Sequence, residues 1–301
     1  MLNALTIDVE EHFQVHAFER AIGRDAWERY PSRVVANTRR ILRTLAGRQV
    51  RATFFVLGWV AERHPELVRE IAAAGHEIGT HGYWHELIYR QTPAEFADDL
   101  RRSIAAIERA APGVQLLGYR APAFSITRKS LWALDVLREC GLRYDSSIFP
   151  LAAHDRYGIA DAERFASQVR PGLWELPVST VRLAGRNLPV AGGGYFRLYP
   201  LWLTRQAIRR INAEGQPAVI YLHPWEFDPE QPRVANAPAL SRFRHYVNIS
   251  RTEQRLGALL REFAFGSMSD AFAAQLAAEP ARPSSRAAAS LQTHRVGESH
   301  I

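Results

Sequence analysis

Short apolar runs alternate with helical stretches along the first half of this 301-residue chain, and that alternation limits the folds open to it. Leu5–Val9, Ala52–Leu57, Glu77–Ile78, Leu116–Tyr119 and Leu142–Asp145 read as short buried strands. Between them lie helical segments with their own punctuation. Ser32 is placed to cap a helix through Leu45. His64-Pro65-Glu66 opens a second helix that stops at Gly75. Thr92-Pro93-Ala94-Glu95 is a capping box for a third, running through Ala110. Thr127 caps a fourth that ends near Gly141. Strand, helix, strand, helix predicts a parallel sheet with helices on its outer face. In such folds, sites are built in the loops that follow the strands.

The second half keeps less of this rhythm. Residues 150–172 lose periodicity and read as a loop insertion. Trp174–Val178 and Ala218–Leu222 read as strands, and 200–213 and 251–263 as helices. The glycine run Ala191-Gly192-Gly193-Gly194-Tyr195 lacks the Lys-Ser/Thr of a phosphate cradle, so a tight turn is expected there. Residues 266–301 are rich in Ala, Ser, Arg and Pro and are expected to form a disordered tail. The chain has no repeat of fixed period.

Composition rules out several classes. With one cysteine, Cys140, no internal disulfide can form, and a small residue near a helix end suits it better than a nucleophile. The formal charge of +7 comes from arginine, since Lys129 is the only lysine. The basic residues read as spread along helices and mixed with acids, which argues against nucleic acid. A basic surface still suits an acidic polysaccharide or a membrane face. No apolar run is long enough for a membrane span. The N-terminus lacks a basic region followed by an apolar core. A cytoplasmic protein, in solution or peripheral to the inner membrane, is the expectation; homo-oligomerisation stays open.

Polar groups of unusual kind follow four of the strands. Asp8 and Glu10 are two apart, so on a strand they face the same side, and close carboxylates call for a cation or a shared proton. A solvated acidic turn with Glu11 is the alternative. His81 and His85 are four apart, a spacing that lets two imidazoles on one helical turn hold one metal ion. Arg120 is placed to fix a carboxylate by paired hydrogen bonds, and His223 ends the last apolar run. Singly, each has an ordinary structural explanation. Together, all at the ends of predicted parallel strands, they point to one site.

The motifs Thr-Ile-Asp-Val-Glu (6–10), Thr-His-Gly-Tyr-Trp-His (80–85), Arg-Ala-Pro (120–122), Trp-Glu-Leu-Pro (174–177) and Leu-His-Pro (222–224), in this order, resemble the polysaccharide deacetylases of the NodB homology type, over roughly residues 3–265. The Asp-Val-Glu-Glu opening and Tyr-Asp-Ser-Ser-Ile-Phe-Pro (144–150) resemble the branch found in exopolysaccharide gene clusters of bacteria with exosortase sorting. The resemblance implies an α/β fold, a distorted (β/α) barrel of about seven parallel strands. It also implies a catalytic domain over 1–265, whose part after about 150 extends the barrel.

The same resemblance implies roles for individual residues. Asp8 matches the catalytic base, Arg120 the arginine that orients it, and His223 the general acid. Glu10, His81 and His85 match the ligands of a divalent metal, Zn2+. The family's usual pair of adjacent aspartates is here Asp-x-Glu. Trp174 and Leu222 match groups lining an acetyl pocket. Ala123 stands where the family often has an aromatic, with Phe124 one later, and its backbone amide is expected to serve an oxyanion. Trp84 and Trp225 are candidates for stacking on sugar rings. The implied activity is removal of N-acetyl groups from N-acetylhexosamines of a glycan or its lipid-linked precursor. The alternatives are an amidase of the same fold on a small cyclic or N-formyl substrate, and a non-catalytic glycan-binding module.

Overall fold

The computed structural model of the chain describes residues 1–152 and 157–277. Its strands, in chain order, are β1 (Asn3–Val9), β2 (Thr53–Val56), β3 (Glu77–Thr80), β4 (Gly118–Tyr119), β5 (Tyr144–Asp145), β6 (Ser167–Arg170), β7 (Leu173–Glu175), β8 (Thr180–Leu183), β9 (Arg186–Pro189), β10 (Val219–Leu222) and β11 (Phe265–Gly266). The main sheet runs β10-β1-β2-β3-β4-β5-β7-β6, with β11 also pairing to β1. The seven strands from β10 to β7 are parallel, and β6 is an antiparallel edge. This curled sheet is the expected distorted barrel.

The helices are α1 (Val34–Ala46), α2 (Gly58–Arg63), α3 (Pro65–Ala73), α4 (Pro93–Ala110), α5 (Ala133–Glu139), α6 (Gly193–Leu198), α7 (Leu201–Ala213), α8 (Ala239–Tyr246), α9 (Thr252–Glu262), α10 (Met268–Ala271) and α11 (Ala273–Ala277). The capping box of α4 forms as read, with Thr92 and Glu95 each satisfying the other's backbone N–H. Helix α1 is capped differently. Ser32 gives its hydroxyl to Glu11, and it is the Glu11 carboxylate that accepts from the backbone N–H groups of Arg33 and Val34. Glu11 is therefore a buried cap and not part of a solvated turn.

Strand alternation creates two cores. Leu5, Ile7 and Val9 of β1, Phe54 and Val56 of β2, and Ile220 and Leu222 of β10 face outward into the layer under the helices. Ala4, Phe55, Tyr144, Val219 and Tyr221 face inward and fill the barrel, together with Phe149, Leu176 and Val178. The wall between β7 and β10 is completed by irregular backbone. Ser179 N donates to Val219 O at 3.3 Å, and Tyr221 N donates to Ala191 O at 3.0 Å. Gly192 bridges Tyr221 so closely that a Cβ would lie 1.8 Å from the Tyr221 carbonyl oxygen. The glycine run thus lines the barrel wall and starts α6, where a plain turn was expected.

Two expectations need correction. The 150–172 stretch contains β6, an edge strand; residues 153–156 lie outside the described residues. Residues 266–277, expected to belong to a disordered tail, are structured. Met268 and Phe272 are buried inside the barrel, Met268 N donates to Thr53 Oγ1 at 2.7 Å, and Ser269 N donates to Glu77 at 3.0 Å. Thr53 and Glu77 begin β2 and β3, so α10 stoppers the end of the barrel opposite the strand C-termini. Apolar Met268 and Phe272 in a polar-looking stretch carry that packing. The remainder of the expected tail, 278–301, lies outside the described residues.

Candidate active site

The inward face of β1 carries Thr6, Asp8 and, just past the strand, Glu10. Both carboxylates are buried. They take different partners. Asp8 Oδ1 accepts from Arg120 Nη1 at 2.8 Å. Glu10 Oε2 lies 2.6 Å from His85 Nε2, and its Oε1 accepts from Trp225 Nε1 at 3.0 Å.

His81 and His85 do not sit on a helical turn. They follow β3 in an irregular loop in which Gly82 and His85 have φ of 75° and 54°. The left-handed backbone at these positions, not helical periodicity, brings the rings to 5.3 Å between centroids. His81 Nδ1 lies 2.7 Å from the Arg120 carbonyl oxygen. A carbonyl only accepts, so Nδ1 carries the proton and Nε2 keeps its lone pair. Burial lowers the His81 pKa to about 4, against the pull of Asp8, and keeps the ring neutral. Burial would raise the Glu10 carboxyl, but the charge of His85 and its hydrogen bond hold it well below the carboxylate range.

Glu10, His81 and His85 place one donor atom each within 4.8 Å of one another. Two neutral-capable imidazoles and one carboxylate, with His81 oriented by a carbonyl, fit a divalent metal of the zinc class. Arg120, wholly buried, donates to Thr6 Oγ1 at 2.6 Å, Asp8, the Ser146 carbonyl at 3.2 Å and Ser146 Oγ at 2.8 Å. His223, which follows β10, points Nε2 to within 3.8 Å of both Asp8 Oδ2 and Glu10 Oε1. Of these groups Glu10, His85 and His223 line a cavity of about 350 Å³, together with Ala123, Tyr221 and Trp225.

Residues 25–144 match the family model of polysaccharide deacetylases. Over those residues the chain is similar to a polysaccharide deacetylase domain. Residues 146–273 match a second model, a domain of unknown function named DUF3473. Relatives include a chitooligosaccharide deacetylase from Bradyrhizobium, 36% identical over 97 residues, which cover 32% of this chain and 42% of the relative. A Bacillus cereus peptidoglycan-N-acetylglucosamine deacetylase is 37% identical over 87 residues, 29% of each chain. The matches therefore span less than half the length of these curated relatives. A solved Mycobacterium smegmatis structure of a proposed polysaccharide deacetylase shares the fold at TM-score 0.60 and 24% identity, over 93% of each chain.

The two matched regions share one sheet. Residues 146–273 supply β7, β10 and β11 to that sheet. The candidate site needs both. His81, His85 and Arg120 lie in the first region, and His223 lies in the second. Asp8 and Glu10 precede both matches.

The structure reassigns several side chains that sequence motifs placed in the pocket. Leu222 points outward into the helix layer; its neighbour Tyr221 faces the cavity instead, because strand residues alternate. Trp174 lies on β7 against the barrel packing and does not line the cavity. Ala123 does line it, with φ of 51°; Phe124, with φ of 53°, is buried against Tyr221 and Phe149. Trp225 cannot stack on a sugar. Its faces meet His223 and His245 at ring distances of 4.9 and 4.1 Å, and its Nε1–H orients Glu10. Trp84 packs by Trp27, Arg24 and Arg102, away from the cavity.

Sequence reading missed two supporting pairs. Glu226 Oε1 lies 2.7 Å from His223 Nδ1, while its Oε2 accepts from buried Arg197 Nε at 2.6 Å. Burial lowers the His223 pKa, but the Glu226 hydrogen bond and the charges of Glu10, Glu226 and Asp8 raise it to about 9. The i, i+3 spacing of His223 and Glu226 was the available signal. The second pair is Asp145 and Glu175, register partners on β5 and β7. Burial raises Asp145 to about 6, and burial with the Asp145 charge raises Glu175 well above its ordinary value, so both carboxyls are shifted towards their protonated forms. Asp145 accepts from Ser147 Oγ, which itself accepts from Ala121 N at 2.8 Å. The pair thus underlies the backbone next to Arg120.

Proposed function

We propose that this chain is a metal-dependent N-deacetylase acting on N-acetylhexosamine units of a polysaccharide or its lipid-linked precursor, in exopolysaccharide biosynthesis at the cytoplasmic side of the membrane. The observation that carries the reading is the division of the two β1 carboxylates: Glu10 sits with His81 and His85, and Asp8 sits with Arg120 and faces His223. Binding a glycan requires no such separation of base, acid and ligand set. The similarity to polysaccharide deacetylases and the named activities of the relatives support the same reading.

When bound by Glu10, His81 and His85, zinc would lower the pKa of a water towards about 7 and polarise the acetamide carbonyl. The protein's own groups do the rest. Arg120 occupies Asp8 Oδ1, which leaves Oδ2 to take the proton of the attacking water. The Ala123 backbone amide on the cavity wall is the candidate donor to the developing oxyanion. His223, protonated and held through Nδ1 by Glu226, delivers the Nε2 proton to the departing amine, which is too basic to leave as an anion. The products are acetate and the free amino sugar. Acetate release from N-acetylglucosamine oligosaccharides tests this: it should require a divalent metal and disappear in Asp8→Asn, and full turnover by that variant overturns the assignment of the base.

A further inference from the structure

The arginines are not evenly mixed with acids. Residues 176–213 hold six arginines and residues 231–252 hold four, and neither stretch contains a single Asp or Glu. The formal charge of +7 comes entirely from these two stretches, because the remainder of the chain carries 28 basic residues against 31 acidic ones. The even spread expected from sequence is therefore corrected.

The fold brings the two stretches together. Arg197, at the end of α6, donates to the carbonyls of Arg244, His245 and Val247 at 3.0, 2.7 and 2.8 Å, and Asn248 Nδ2 donates back to the Arg197 carbonyl at 3.0 Å. This clamps the ends of α6 and α8, and α7 begins three residues after Leu198. Five of the nine large apolar side chains exposed among the described residues lie here: Leu198, Trp202, Leu203, Leu240 and Phe243, each 38–59% exposed. Arg242 and Arg244, on α8 with Leu240 and Phe243, are exposed with no carboxylate partner among the described residues. Leu198, Phe243 and Arg244 also line the mouth of the candidate active-site cavity.

Protruding Trp and Leu ringed by unpaired arginines is the pattern of a face that lies in a lipid interface, where apolar tips enter the acyl boundary and cations meet anionic headgroups. A soluble polyanion would use the arginines but gives no reason for leucines and a tryptophan to face water. We propose that the α6–α7–α8 face docks on an anionic lipid bilayer and sets the cavity mouth at the membrane surface. The purpose of such docking, access to a lipid-linked glycan, rests on the deacetylase reading above; the docking itself does not.

The test is sedimentation of the full chain with vesicles of phosphatidylcholine and phosphatidylglycerol in about equal parts, alongside acetate release from a short soluble oligosaccharide. Binding should appear on the mixed vesicles, weaken with salt, and be absent on phosphatidylcholine alone. Trp202→Ser with Leu240→Ser should weaken it about tenfold while acetate release is kept, since neither side chain lines the cavity. Recovery of the wild-type chain in the supernatant overturns the proposal. So does binding that the double variant leaves unchanged and dextran sulfate abolishes, which would mark a site for soluble polyanions. Failure of acetate release with vesicle binding intact would overturn the deacetylase reading alone.

Discussion

The backbone carbonyl of Arg120 accepts from His81 Nδ1 at 2.7 Å, while the guanidinium of the same residue holds Asp8 at 2.8 Å. One residue thus sets the tautomer of a candidate metal ligand and the orientation of the candidate base. Arg120 is wholly buried and fully partnered, so its loss would leave Asp8 buried without its nearest counter-charge, with His223 at 3.8 Å remaining. Arg120→Ala should cost about 3–5 kcal/mol of stability. Chemical denaturation checks this, and a change below about 1 kcal/mol would show that water replaces the guanidinium.

Asp8→Asn keeps the shape and the Arg120 contact but not the basicity. Acetate release should fall by about 10²–10⁴-fold while bound metal is retained, as read by elemental analysis. Loss of metal in this variant would place Asp8 among the ligands.

Glu10→Ala and His81→Ala should instead lose stoichiometric metal, because each removes one of the three donors grouped among the described residues. Full metal occupancy in Glu10→Ala would move the third ligand elsewhere.

Glu226→Gln tests the acid. The Glu226 carboxylate helps raise His223 to about 9, so its neutral isostere should lower that pKa. The reaction needs His223 protonated, so the alkaline limb of the kcat profile should move to lower pH. An unmoved limb would mean that another group delivers the proton.

Asp145 and Glu175 predict a stability profile. Both carboxyls are raised in the folded protein, so between the ordinary carboxylate range and the folded values the native state binds more protons than the unfolded chain. Stability is therefore present at low pH and lost as pH rises through about 6, where Asp145 ionises. Glu175→Gln keeps a donor to Asp145 without a second charge. Its melting temperature should drop less than that of the wild type between about pH 5 and about pH 8, about one to four pH units above the ordinary carboxylate value. Parallel profiles would show that the pair ionises without penalty.

The sequence by itself determined the seven parallel strands from β10 to β7, the order of the polar groups at their ends, and the α4 capping box, because these depend on neighbours within a few residues. It also identified Asp8, Glu10, His81, His85, Arg120 and His223 by kind and order. Only the tertiary structure decided which of them meet. His81 and His85 converge through left-handed backbone in a loop, which no helical spacing encodes. Trp225 became a donor to Glu10 because histidines cover both its faces. Leu222 and Tyr221 exchanged places because β10 presents alternate residues to opposite cores. Met268 and Phe272 are ordered because the open end of a barrel more than two hundred residues away in sequence offers them burial. Burial, charge pairing and clamped arginines are long-range properties, so the Arg197–Glu226 and Asp145–Glu175 supports and the basic, apolar docking face emerged only once the chain was folded.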